Sequence, residues 1–239
     1  MKQSLAIVHL YANEMSIYGD RGNILTLVKR LEWRGYGATV KEVGIGDSFD
    51  LTKADLIFAG GGQDRGQVAV GKDLQKRADQ LLKAAESDVP MLTICGTYQL
   101  FGHRFVTLEG EEIPGIGMFD AETIGSRQRM IGNIVVKTSF GGLVGFENHS
   151  GQTYLQAGQE PLGRVEKGHG NNGDDKTEGA VFYNVYGTYL HGPILPKNPA
   201  FADHLLLTAL KNKYGVERLM PLDDALEFKA VEAAKHRPR

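Results

Sequence analysis

The sequence predicts an α/β fold built on a mainly parallel sheet, with added β hairpins. Three observations lead there. In the first part of the chain, short apolar runs of strand length alternate with longer segments of helical period, a pattern that implies parallel strands joined by right-handed crossovers. Those runs stop at glycines or polar turn formers, as strand ends do. From about residue 105 to 190 the character changes to Gly, Thr, Val and Tyr in short alternating segments, such as NIVVKT and GAVFYNVYGTYL, which read as β hairpins and loops.

Taken in order, Leu5 to Leu10 is a strand-length apolar run, followed by the polar stretch YANEMSIYGDRGN, a loop at a strand end. Ile24, Leu25, Leu27, Val28 and Leu31 then recur at helical spacing until Gly35 and Gly37 end the pattern. Ala38 to Val43 and Leu56 to Ala59 read as buried strands, the second running straight into Gly60, Gly61 and Gly62. A helix over about 68–87 carries Leu74, Ala78, Leu81, Leu82 and Ala85 on its face and ends before Pro90. Met91 to Ile94 is the next buried strand; it stops at Cys95, and a helix is expected over TYQLFGHRF. Residues 168–175, GHGNNGDD, are expected to form an exposed, turn-rich loop, and their spacing does not match an EF-hand, so no metal is assigned to them. A helix from about Pro199 to Tyr214 precedes a charged segment ending KHRPR, read as a solvated helix or frayed end. The organisation expected is one large domain over residues 1–215 and a charged C-terminal helix or tail over 216–239.

Composition narrows the function. With 239 residues, 41% of them hydrophobic and 23% charged, the chain can bury a substantial core and is too apolar to be disordered. Its net charge of -2, with both signs mixed along the chain, gives no footprint for nucleic acid. The first apolar run is broken by His9 and Asn13 and reads as a strand, not a secretory signal. No stretch approaches the roughly 18 apolar residues of a membrane span. A single cysteine excludes an internal disulfide. A cytoplasmic protein without a transmembrane segment is expected.

Cys95 carries the chemistry. A thiol at the junction of a buried strand and a helix meets backbone N–H groups and a helix dipole that favour the thiolate, the attacking form. Gly96 suits a tight turn there, and the N–H after a nucleophile is a natural oxyanion donor. A lone cysteine behind apolar residues is also compatible with a small buried hydrophobe. The triple glycine, likewise, serves either as a tight turn or as a loop of backbone donors.

The run ICGTYQLFG, residues 94–102, resembles the nucleophile elbow of class I glutamine amidotransferases of the cobyric acid synthase type. GFENHSGQT (145–153) and GTYLHGPIL (187–195) resemble two further blocks of that family, in the same order. YGDRGN, GGGQDR and HGPILPKNP narrow the resemblance to its GatD-type branch, glutaminase partners of a Mur-ligase-like protein in lipid II isoglutaminyl synthase. It covers nearly all of the chain except the last ~20 residues. The resemblance implies a flavodoxin-like three-layer α/β sandwich, with residues 1–215 as the amidotransferase domain.

It also implies roles. Cys95 becomes the nucleophile that forms a glutamyl thioester with L-glutamine, and His191 the base that returns the proton to departing ammonia. Gly96 and Gly61 hold the oxyanion, and Arg129 holds the substrate carboxylate. Arg127, two residues away, is expected to face oppositely on a strand. His149 is expected to shape the pocket or touch the partner. His9, His103, His169, His204 and His236 have no motif around them and are read as structural or exposed. A Mur-ligase-like synthase, carrying ATP and Mg2+, is the expected partner, reaching lipid II at the inner face of the membrane. This chain has no phosphate loop, since GGGQDRG lacks its lysine.

The sequence departs from the pattern twice. Thr97 stands where the family usually has a second glycine, and its Cβ is expected to crowd the elbow. Gly192 and Pro193 follow His191 where many relatives carry an orienting glutamate. The expectation is that the partner supplies that carboxylate, with Asp20 and Glu147 as candidates within the chain. The other readings are an amidotransferase for a corrinoid-type synthase, a cysteine hydrolase or peptidase on a similar fold, and a catalytically silent binding subunit.

Overall fold

The computed structural model describes residues 2–16, 19–62 and 64–236, with residues 64 and 65 described by backbone only. Tyr18 of YGDRGN, Gln63 of GGGQDR and the last three residues of the tail therefore lie outside the described residues. The first half runs β1 (Ser4–Leu10), α1 (Arg21–Trp33), β2 (Gly37–Val43), β3 (Leu56–Ala59), α2 (Asp64–Glu86), β4 (Met91–Ile94) and α3 (Gly96–Phe101). The second half runs β5 (Arg104–Val106), β6 (Glu112–Pro114), β7 (Ala121–Thr138), β8 (Gly141–Leu155), β9 (Gly163–Lys167), β10 (Thr177–Glu178), β11 (Ala180–Phe182) and β12 (Val185–Thr188). Helices α4 (Pro199–Tyr214) and α5 (Ala225–His236) close it.

The main sheet has the order β11-β12-β4-β3-β1-β2, parallel throughout except for β11. From β1 the chain crosses one way to β2, and from β3 the other way to β4. Right-handed crossovers therefore place α1 and α2 on opposite faces, which makes the three layers, and the order reverses between β1 and β3. Leu56 to Ala59 and Met91 to Ile94 are buried along their whole length, as strands covered on both faces must be. β2 is different. Only its Val43 is buried, because β2 is an edge strand, and this corrects the expectation of a buried strand over Ala38 to Val43.

A second sheet, β10-β9-β7-β5-β6 with β8 paired to β7, supplies the expected hairpins. Its principal hairpin is longer than the short segments expected: β7 spans 18 residues and β8 spans 15. The helix expected over TYQLFGHRF stops at Phe101. Gly102 turns to extended backbone against Ala121, where a side-chain carbon would sit 2.6 Å from the Ala121 carbonyl oxygen, and Arg104 to Val106 join the second sheet. The loop GHGNNGDD is turn-rich but not exposed at its centre. Asn171 and Asn172 are buried, their amides taking the place of a backbone ladder: Asn171 accepts from Tyr98 Oη and Gly179 N, and Asn172 donates to the Thr153 carbonyl.

The tail is helical but held. Arg30, 2% exposed, donates to both carboxylate oxygens of Asp203 and of Asp224, just ahead of α5. Val231 of α5 packs on Val135 and Val144. Asp224 takes two of the four hydrogen bonds that Arg30 gives to carboxylates, so the segment ahead of α5 is tied to α1 rather than frayed.

Candidate active site

The loops that leave the carboxyl ends of β1, β3, β4 and β12 meet where the strand order reverses, the usual ligand position in a doubly wound sheet. Cys95 closes β4 and stands at the N-cap of α3 with φ 50° and ψ −105°, a backbone conformation that L side chains rarely adopt. Such a residue costs roughly 1–3 kcal/mol and persists only where its surroundings fix it. Here they do: the Cys95 amide donates to the Thr188 carbonyl at 2.8 Å, and its carbonyl accepts from Gln99 N at 2.9 Å. The sharp strand-to-helix turn holds the thiol at the carboxyl end of the sheet, 7% exposed.

His191 reaches the same place from β12. Its backbone is fastened to β8 by two reciprocal bonds, His191 N to the Phe146 carbonyl at 2.8 Å and Phe146 N to the His191 carbonyl at 3.2 Å. The ring is buried, and burial, with a smaller effect from His149, pushes its pKa down to about 3. A neutral imidazole at neutral pH is able to accept a proton. Gly61, beyond β3, closes the group: a methyl carbon there would lie 3.0 Å from His191 Cε1 and 3.2 Å from Cys95 Cβ. Thiol, imidazole and a glycine backbone share one small volume, the parts list for acyl transfer to sulfur.

The profile of the CobB/CobQ-like glutamine amidotransferase domain matches residues 6–199. The chain belongs to this family. Within it, the chain is 42% identical to the lipid II isoglutaminyl synthase (glutamine-hydrolyzing) subunit GatD of Staphylococcus aureus, over 95% of this chain and 93% of that protein. The corresponding subunit of Streptococcus pneumoniae is 41% identical over 95% of this chain and 89% of that protein. A probable cobyric acid synthase of Methanothermobacter thermautotrophicus is 30% identical over 77% of this chain but only 38% of that longer protein. Among solved structures, PurLQS from Thermotoga maritima shares the fold with a TM-score of 0.58, at 19% identity, over 88% of this chain and 100% of that one. The glutaminase domain of Trypanosoma brucei CTPS shares it with a TM-score of 0.55, at 13% identity, over 92% and 97%. The expected class I amidotransferase fold is therefore the observed one.

In this amidotransferase Thr97 does not crowd the elbow. Its hydroxyl lies 2.9 Å from the carbonyl oxygens of both Ala59 and Gly60, tying α3 to the glycine loop. Gly96 is closely packed: a Cβ there would come 2.8 Å from Gln67 Nε2 and 2.9 Å from Met15 Cε, so the ends of both side chains would have to shift to admit one. Behind it runs a buried chain: Gln67 donates to the Gly96 carbonyl and to Gln99 Oε1, Gln99 donates to Tyr189 Oη, and that hydroxyl shares a proton with Thr153. His149 stacks flat on Tyr189, with ring centroids 3.6 Å apart, and its Nδ1 donates to the Gly151 carbonyl. Burial lowers its pKa to about 4, so it too is neutral.

Arg129 is exposed, its Nε donating to Asn148 Oδ1 at 2.7 Å, beside the Met130–His149 pair and close enough for its charge to act on His149. Arg127 is exposed as well, and the expectation that it faces oppositely is corrected. Residues two apart on a strand share a face, and the β7–β8 ladder is interrupted between Gly125 and Met130 in any case. Glu147 serves the turn at 168–170, accepting from the amides of His169 and Gly170 and from His169 Nδ1. Asp20 accepts from the Gly61 amide.

Sequence reasoning missed Glu178, which is buried with Oε1 accepting from Thr188 Oγ1 and Tyr189 N and so fixes the segment that leads to His191. A lone glutamate before a glycine carries no local signal of this. Tyr189 did have one, its place in the block GTYLHG. Among the described residues, no cluster of three or more His, Cys, Asp or Glu could hold a metal ion, and no helix is long and apolar enough to cross a membrane.

Proposed function

We propose that this chain is the glutaminase subunit of a two-component amidotransferase. It releases ammonia from L-glutamine for a Mur-ligase-like synthase that amidates the α-carboxyl of D-glutamate in the lipid II stem peptide. The observation that carries the reading is the convergence of Cys95, His191 and Gly61, supported by the names of the two GatD relatives.

In this reading His191 takes the thiol proton as Cys95 Sγ attacks the side-chain amide carbon of glutamine. The oxyanion is held by the amides of Gly61 and Gly96, the latter in the first turn of α3 where N–H groups lack an intrahelical partner. His191 returns the proton to the amide nitrogen, the C–N bond breaks, and ammonia leaves behind a glutamyl thioester. Water, deprotonated by the same imidazole, then releases glutamate. Arg129 is assigned to the substrate carboxylate. ATP and Mg2+ belong to the partner. An orienting carboxylate for His191 is assigned to the partner too, since Gly192 and Pro193 stand where many relatives carry a glutamate; equal glutamine turnover by the isolated chain and the complex excludes that assignment.

The deciding assay is amidation of lipid II by the co-purified pair. Wild type should use glutamine or ammonium, and Cys95→Ala ammonium only. Amidation that runs on ammonium but never on glutamine overturns the proposal.

A further inference from the structure

Asp20 stands at the N-cap of α1, where an aspartate ordinarily accepts from its own helix's second or third amide and stabilises it by about 1 kcal/mol. Asp20 makes no such bond. Its side chain, 0% exposed, turns the other way: Oδ2 accepts from the Gly61 amide at 2.8 Å, and Oδ1 has no hydrogen-bond partner among the described residues. Burial pushes this carboxyl up to about 6, with the Gly61 bond opposing. A forgone cap together with a desolvated, half-satisfied carboxylate is a local rule broken twice, and such breaks concentrate at functional positions.

The place it occupies is specific. The methyl position at Gly61 that lies 3.0 Å from His191 Cε1 and 3.2 Å from Cys95 Cβ lies 3.7 Å from Asp20 Oδ2, and the corresponding position at Gly60 lies 2.7 Å from it. The amide that the proposed reaction needs for its oxyanion is therefore already bound to an anion of the same sign.

We infer that Asp20 is a built-in stopper on the Gly61 oxyanion donor, which holds the chain at low glutaminase activity until its carboxylate leaves that amide. The inference rests on the glutaminase reading above. The fold offers a route for release. The first turn of α1, which begins beside Asp20, packs on the loop that follows His191, where any side chain at Gly22 would collide with the Pro193 ring. A small shift of that helix end moves the carboxylate without breaking a strand.

The test is glutamate release by wild type, Asp20→Ala and Asp20→Asn, each alone and with the partner synthase. One oxyanion donor is worth roughly 100-fold in turnover or more. Asp20→Ala should therefore raise the isolated chain's turnover by at least tenfold and narrow its gap to the complex. Asp20→Asn, which keeps the shape and removes the charge, should raise it less and carries the same test where the alanine variant does not fold. Iodoacetamide labelling of Cys95, read by mass, should be several-fold faster in both variants, because a neighbouring negative charge disfavours the thiolate. Folded variants that are no faster than wild type in turnover and labelling, while the wild-type complex hydrolyses glutamine, overturn the stopper alone. A wild-type complex that does not hydrolyse glutamine overturns the glutaminase reading and the stopper with it.

Discussion

Glu178→Gln offers a quantitative test of how the segment before His191 is held. The Glu178 carboxyl is buried among Thr188, Tyr189 and the end of β10, and burial raises its pKa from 4.5 to about 8 against the opposing effect of its two hydrogen bonds. In the unfolded chain it titrates near 4.5. Below that pH both states hold the proton, and the stabilisation is complete. Between pH 4.5 and about 8 only the folded state keeps it, so unfolding releases a proton and stability falls as pH rises. Each unit is about 1.4 kcal/mol, so the loss from pH 4.5 to 7 is roughly 3 kcal/mol. Glutamine keeps an acceptor for Thr188 and Tyr189 and cannot ionise. Urea unfolding of both proteins between pH 4 and 7 should show the stability difference shifting in favour of Glu178→Gln by about 3 kcal/mol across that window. A difference that does not change with pH refutes the reasoning.

Two further substitutions probe the elbow. Thr97→Val removes the hydroxyl shared by the Ala59 and Gly60 carbonyls and leaves buried acceptors unpaired. It should cost about 1–3 kcal/mol, or a Tm lower by several degrees, with Thr97→Ser restoring most of it. Gly61→Ala puts a carbon 3.0 Å from His191 and 3.2 Å from Cys95 without a backbone conflict, since Gly61 has an ordinary φ. Glutamine turnover should fall at least about 100-fold, as misplacement near reacting groups does, with Tm changed by no more than a few degrees.

What could be read in the sequence was what local pattern encodes. β1, β3 and β4 announce themselves as apolar runs, and Cys95 is fixed by the run that stops at it. β2 carries Thr39, Lys41 and Glu42 among its apolar residues, unlike the wholly apolar β3, and at the edge of the sheet these side chains stay in solvent. The GHGNNGDD loop looks exposed because Asn and Gly favour turns. Only the tertiary contacts of Asn171 with Tyr98 and Gly179 show why it sits inside. The alignment of Cys95 with His191 came from the ordered family blocks, not from spacing, since residues so distant in sequence meet only through the sheet. In the sequence Asp20 stands in a polar loop and among the candidate orienting acids, and its turn toward Gly61 depends on a loop far along the chain.

The reciprocal bonds between His191 and Phe146 have a thermal consequence. The imidazole hangs from a strand of the parallel sheet on one side and from the long hairpin of the other sheet on the other. Heat that loosens only the seam between the sheets lets the ring drift while most of the parallel sheet remains paired. On warming, catalytic competence should therefore disappear before the bulk of the secondary structure does, and the amides of Phe146 and His191 should exchange with solvent at the temperature where activity is lost rather than where the fold melts.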